Sequence, residues 1–80
     1  MILSVMQMKM TFGEKIRLLR ETQELNQATL GERVQMTQRK ISYIERNEFE
    51  PSLGDIVAFC RYFQVSADYL LGLTDKKDRS

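Results

Sequence analysis

The chain has 80 residues, 42% apolar and 29% charged, with a net charge of +1, one cysteine and no histidine. That length supports one small domain, near the lower size at which a core holds without covalent staples. A lone cysteine and no histidine exclude an internal disulfide, imidazole acid–base catalysis and most zinc sites; the expectation is a reduced, cytoplasmic protein with no metal and no cofactor.

Residues 1–10, MILSVMQMKM, form an apolar, Met-rich arm. It is too short to span a bilayer and lacks the basic start and small-residue cleavage site of a signal peptide. Ile2, Leu3, Val5 and Met6 are expected to bury themselves, either on the chain's own body or on a second copy. A first helix is expected from Phe12 to about Gln23. Thr11 and Glu14 form a capping box at its start, and Phe12, Ile16 and Leu19 make its inward stripe. Leu18 falls off that stripe, where it could meet the arm.

The next stretch, QATLGERVQMTQRKISYIERN, reads as two short helices joined by a tight turn. Asn26 caps the first and Thr37 the second. Each start carries a hydrophobic staple, Leu25 with Leu30 and Met36 with Ile41. Leu30, Val34, Met36, Ile41 and Ile44 form the inward set, and Gly31 is small enough to let the second helix approach. Gln38, Arg39, Ser42, Tyr43 and Arg46 occupy the remaining surface. Such a face can read base edges, since Gln pairs bidentately with adenine and Arg with guanine, while apolar surface touches the thymine methyl.

Asn47 tolerates the left-handed conformation of a helix C-cap. Ser52 caps a fourth helix from Leu53 to about Phe63, with Leu53, Ile56, Val57, Cys60 and Phe63 inward and Phe59 and Tyr62 flanking. Cys60, set among apolar neighbours, is expected to be a small core residue. Ser66 caps a last helix, ADYLLG, stapled by Val65 and Leu70 and ended by Gly72. Residues 75–80 are a polar tail. Charge is uneven: residues 25–47 hold Arg33, Arg39, Lys40 and Arg46 against Glu32 and Glu45, a net +2, whereas residues 48–75 hold five acids against Arg61, a net −4. A basic motif ahead of an acidic back suits a protein that meets DNA one way round.

From about Phe12 to Thr74 the chain resembles the Cro/C1-type helix-turn-helix family of bacterial and phage DNA-binding proteins. The residues carrying the resemblance are FGEKIRLLR, LNQATLGERV, TQRKISYIERN, EPSL and VSADYLLGLT, in that order. It implies an all-α fold, a compact five-helix lambda-repressor-like domain over residues 11–74, with the helix-turn-helix at helices 2 and 3. The arm is then an extension. The resemblance also implies a structural ion pair between Arg20 and Glu45. Gln27 matches a family glutamine that contacts phosphate and braces the first residue of the recognition helix. Where the family commonly has Gly between the motif helices, this chain has Gln35, at a cost of roughly 1 kcal/mol in backbone strain.

Together, chemistry and resemblance assign base contacts to Gln38, Arg39, Ser42 and Tyr43. Phosphate contacts fall to Gln27, Thr37, Lys40, Arg46 and Asn47. One recognition helix reaches only a few base pairs, so a homodimer on palindromic double-stranded DNA is expected. Its interface would use the arm, the helix 3–4 loop at Phe49, or the last helices around Tyr62, Tyr69 and Leu73. The implied function is a transcriptional regulator, a repressor. The alternative is an antitoxin or interaction module whose arm binds a protein partner, with DNA autoregulation secondary. Restriction–modification control proteins share the chemistry of the first reading. An enzyme has almost no support, since Glu48 and Glu50 sit on a loop with no His, Cys cluster or glycine-rich phosphate loop nearby.

Overall fold

Five polar residues, each held in extended backbone, start five helices: α1 (Phe12–Thr22), α2 (Gln27–Val34), α3 (Gln38–Glu45), α4 (Leu53–Phe63) and α5 (Ala67–Leu70). Their caps are Thr11, Asn26, Thr37, Ser52 and Ser66, and each side-chain oxygen accepts the N–H three residues on. Satisfying that orphan donor is what favours these residue types at a helix start. The Thr11–Glu14 capping box forms as expected, and Ser52 closes a second with Asp55. The structure, a computed structural model, describes residues 10–78. Packing of the arm through Ile2, Leu3, Val5 and Met6 therefore lies outside the described residues.

Four turns use non-glycine residues at positive φ: Glu24 at 58°, Gln35 at 62°, Asn47 at 60° and Gln64 at 58°. Gln35 and Asn47 take the left-handed geometry anticipated for them. Glu24 and Gln64 do the same without having been marked by residue type. The α2–α3 turn is tight because Gly31 lies against the Met36 carbonyl, where a Cβ would collide with backbone. Gly13 has the same role between α1 and α3: a Cβ there would meet the carbonyl oxygens of Ile44 and Glu45.

The core holds Ile16, Leu30, Ile41, Ile44, Phe59 and Leu70, all essentially without exposure, ringed by Val34, Cys60, Phe63, Val65 and Tyr69. Cys60 is buried, as its apolar neighbours suggested. Leu18 points outward at 41% exposure. One expectation fails on α4. Phe59, expected to flank the inward stripe, is fully buried, whereas Leu53 is 78% and Val57 39% exposed. The helix is rotated so that Phe59 packs between Phe12 (6.0 Å between ring centroids, edge-on) and Phe63 (6.4 Å, stacked). Burying the largest ring removes more apolar surface from water than burying Leu53 would, and the aromatic pairs add to it.

Tyr69 is a second correction. Instead of offering an interface, it is buried, with the Lys15 ammonium 4.7 Å from its ring. Lys15 is itself buried and donates to the Tyr69 carbonyl at 2.6 Å, joining α1 to α5. Lys15 falls on the inward stripe of α1 beside Phe12, Ile16 and Leu19, and that register was the available signal for its burial. No helix among the described residues is long and apolar enough to cross a membrane.

Candidate nucleic-acid interface

The candidate interface is built on α3, held by a polar cluster at its C-terminal end. Arg20 of α1 reaches Glu45 with two parallel hydrogen bonds, Nε to Oε2 at 2.6 Å and Nη2 to Oε1 at 3.1 Å. This is the bidentate geometry that makes Arg–carboxylate pairs strong and directional. Arg20 also donates to the Leu25 carbonyl at 2.7 Å, just before α2. Only 4% of the Glu45 side chain and 11% of that of Arg20 are exposed. Hydrogen bonding to Glu45 outweighs burial and raises the Arg20 pKa above its ordinary value. The expected structural pair is thus present, and it ties α1, the α1–α2 loop and α3 together.

Gln27 completes the cluster. Its Nε2 donates to Glu45 Oε1 at 3.1 Å, so its amide braces the last residue of α3, whereas the resemblance pointed to the first. Asn47, just past α3, has both ends of its side chain occupied. Oδ1 accepts from the Gly13 N–H at 3.0 Å and Nδ2 donates to Thr11 Oγ1 at 2.8 Å. Thr37 accepts from the Lys40 N–H at 3.0 Å as the cap of α3. The α3 backbone is therefore fixed at both ends by side chains, Thr37, Gln27 and Asn47, that are also expected to contact phosphate.

On the outer face Gln38 and Arg39 are exposed, and Ser42 and Tyr43 are half-buried. Arg39 Nε approaches the Tyr43 hydroxyl at 3.4 Å, and its guanidinium carbon lies 5.7 Å from the ring. Arg46 lies 5.1 Å from the same ring and pairs with Glu48 at 3.4 Å. Tyr43 thus has two guanidiniums close to its ring, each gaining from the electron-rich ring face. The i, i+4 and i, i+3 spacings of 39, 43 and 46 place them in one row, a signal readable from the sequence.

Lys40 points elsewhere. Its ammonium donates to Asp55 Oδ1 at 2.9 Å, on the first turn of α4, and lies 5.3 Å from the Phe49 ring. Burial pushes the Asp55 carboxyl up, but hydrogen bonds from Lys40 and Ser52 outweigh it and hold the pKa below the ordinary carboxylate value. Nothing in the spacing of 40 and 55 indicated this pair. Ser52 and Asp55, however, form an S-x-x-D box that was legible. Among the described residues no three His, Cys, Asp or Glu side chains converge to hold a metal ion.

This geometry is that of a helix pair in which the second helix is anchored from behind and presents a polar, cationic front. A family model for the helix-turn-helix domain matches residues 11–71. The chain belongs to the helix-turn-helix family. Repressor protein C2 of Salmonella phage P22 is 41% identical over 59 residues, covering 74% of this chain and 27% of that repressor. The HTH-type transcriptional regulator YobD of Bacillus subtilis is 32% identical over 67 residues, 84% of this chain and 60% of YobD. The chain thus spans less than two thirds of the length of these relatives.

Among solved structures, the P22 c2 repressor in complex with a synthetic operator superimposes with a TM-score of 0.74 at 38% identity. That likeness covers 79% of this chain and 96% of the P22 chain. The restriction–modification controller protein C.AhdI of Aeromonas hydrophila gives a TM-score of 0.69 at 25% identity, over 75% and 91% of the two chains. The lambda-repressor-like, five-helix expectation agrees with these likenesses.

Proposed function

We propose that this protein is a sequence-specific double-stranded DNA-binding transcriptional regulator, a repressor that occupies a palindromic operator as a homodimer with α3 in the major groove. The observation that carries the reading is the front of α3. Gln38, Arg39, Ser42 and Tyr43 lie on a helix clamped by Arg20, Gln27 and Glu45, in a fold shared with an operator-bound phage repressor. Residues 11–74 form the DNA-binding unit between the arm and the polar tail.

Within this reading Gln38 and Arg39 make bidentate base contacts, with Ser42 within reach of an edge. Tyr43 presents its rim to the groove, with Arg39 and Arg46 near its ring. Arg46 is free to swing to phosphate, since its pair with Glu48 is exposed and worth only ~0.2–1 kcal/mol. Thr37, Gln27 and Asn47 would reach phosphate with what remains of their donor capacity after their structural bonds. The N-terminus of α2 supplies backbone N–H groups suited to an anion.

The homodimer reading is supported by an exposed apolar face. Leu53 and Val57 of α4 and Leu71 and Leu73 beyond α5 are 78%, 39%, 53% and 74% exposed. Leu53, Val57 and Leu71 line a groove of about 470 Å³ between α4 and α5, with Arg61 and Asp68 among its lining residues. One cation on α4 and one anion on α5 can pair reciprocally when the same patch meets itself about a two-fold axis. A second copy is therefore the occupant. No catalytic step belongs to this reading, and the site of action is the cytoplasm.

The experiment is selection of bound sites from a random double-stranded DNA library with the purified protein at a stated moderate salt. A palindrome is expected, with half-sites spaced to report the dimer. No enrichment by folded protein would reject DNA reading.

A further inference from the structure

The ion pair at the first turn of α3 assigns Lys40 a different task from that of the other cations on that helix. By its packing α3 rests on α1 and α2, while α4 rests on α2 and α5. Between α3 and α4 stands the ion pair of Lys40 Nζ and Asp55 Oδ1 at 2.9 Å, with only 33% and 11% of the two side chains exposed. Asp55 uses its second oxygen to accept the Ser52 N–H at 2.9 Å, and its own N–H donates to Ser52 Oγ at 3.1 Å. The carboxylate is thereby locked to the start of α4. Phe49, in the loop between the helices, lies beside the ammonium. One turn of α4 beyond Leu53, on the same helix as Asp55, Val57 continues the exposed apolar face.

We propose that Lys40 is a positioning residue and not a phosphate contact: with Asp55 it fixes the reading helix to the helix that carries the apolar face. This rests on the DNA-binding reading above and deepens it. The consequence is that the pair sets how α3 is aimed relative to the two-fold partner, and so which half-site spacing fits. Arg46 offers the contrast. It is 55% exposed at the side chain, lies beside the Tyr43 ring and has its ion pair with exposed Glu48, so it can exchange that carboxylate for a phosphate.

The two roles predict opposite signs at Asp55. If Lys40 served phosphate, Asp55 would compete for it, and Asp55→Asn would release the ammonium and tighten DNA binding. If Lys40 positions α3, Asp55→Asn loosens the link and weakens binding. The test measures operator affinity at several salt concentrations for the wild type, Lys40→Met, Asp55→Asn and the double variant, each shown to be folded by circular dichroism.

Each single variant is expected to weaken binding by about 3- to 30-fold, the usual span for residues acting through a network, and the double to be no worse than the weaker single. The salt slope should stay at the wild-type value, and Lys40→Arg, which keeps the pair, should bind nearly as the wild type does. Tighter binding by Asp55→Asn, or a slope reduced by about 0.9 in Lys40→Met, would overturn the assignment. Should Asp55→Asn fail to fold, the slope of Lys40→Met decides alone. Absence of DNA binding by the wild type would instead reject the function itself, and is distinguished because no variant could then be ranked.

Discussion

Arg20 and Glu45 show what one charged pair can do in an 80-residue chain. Glu45 is almost completely buried, and its two oxygens are served by Arg20 and Gln27. Arg20→Ala would strand a buried carboxylate, so a loss of ~3 kcal/mol or more is expected in chemical denaturation, moderated by the bond that Gln27 retains. Gln27→Ala should cost less, about 1 kcal/mol, because the bidentate pair survives it. On the front of the helix the expected effects are on recognition. Gln38→Ala and Arg39→Ala should each lose ~1–3 kcal/mol of discrimination at one base position. Arg46→Ala should instead weaken all sequences alike and lower the salt slope by about 0.9.

Asp55 gives a pH prediction. Its folded pKa lies below its unfolded value, because the bonds from Lys40 and Ser52 outweigh the burial that would raise it. Such a group contributes stability above the ordinary carboxylate value of ~3.9, and that contribution fades as pH falls through the folded pKa. The stability gap between wild type and Asp55→Asn should therefore be widest near neutrality and close in acid. Thermal unfolding across that range measures it; a gap that widened in acid would contradict the sign.

At the scale of elements, caps were the most legible feature. Thr11, Asn26, Thr37, Ser52 and Ser66 each start a helix where residue type placed one, because a cap depends on chemistry within four residues of itself. The α2–α3 turn is where the sequence departs from the residue its geometry prefers. Gln35 sits at φ 62°, and Gln35→Gly should raise stability by up to ~1 kcal/mol, less the backbone entropy that glycine adds to the unfolded chain. Gly31→Ala should do the reverse and more strongly, since its Cβ would strike the Met36 carbonyl and force the hairpin open. Urea unfolding of both variants measures these effects. The orientation of α4 was not legible in the same way. Leu53, Val57 and Phe59 all fit a helical stripe of some phase, and the choice belongs to the Phe12 and Phe63 rings packed against it.

At the scale of the whole molecule, the two exposed faces have different chemistry. The α3 face is polar and cationic, and the α4–α5 face is apolar with one charge of each sign in its groove. If the proposed dimer uses that second face, Val57→Lys should leave only monomer in sedimentation without changing the monomer's helical content. Operator affinity should fall with it, since one reading helix then acts alone. A variant that remained dimeric would remove this face from the interface. Of the tyrosines near it, Tyr69 is buried beside Lys15, whereas Tyr62 is half-buried and accepts a hydrogen bond from Arg33 at 2.8 Å.

Where each helix begins, the order of the five helices, the helical hairpin and the row of Arg39, Tyr43 and Arg46 can all be read from the chain alone. These depend on caps, staples and i, i+4 spacing, interactions that close within a few residues. Which partner each of three polar side chains takes is a matter of tertiary packing. Lys15 turned inward to a carbonyl 54 residues away, Lys40 to Asp55 across a loop, and the Asn47 side chain to the start of α1. Each of these side chains has several partners within its reach. Which one it takes depends on how helices distant in sequence come to rest, and that is set by the packing of Phe59, Ile16 and Leu30 in a shared core.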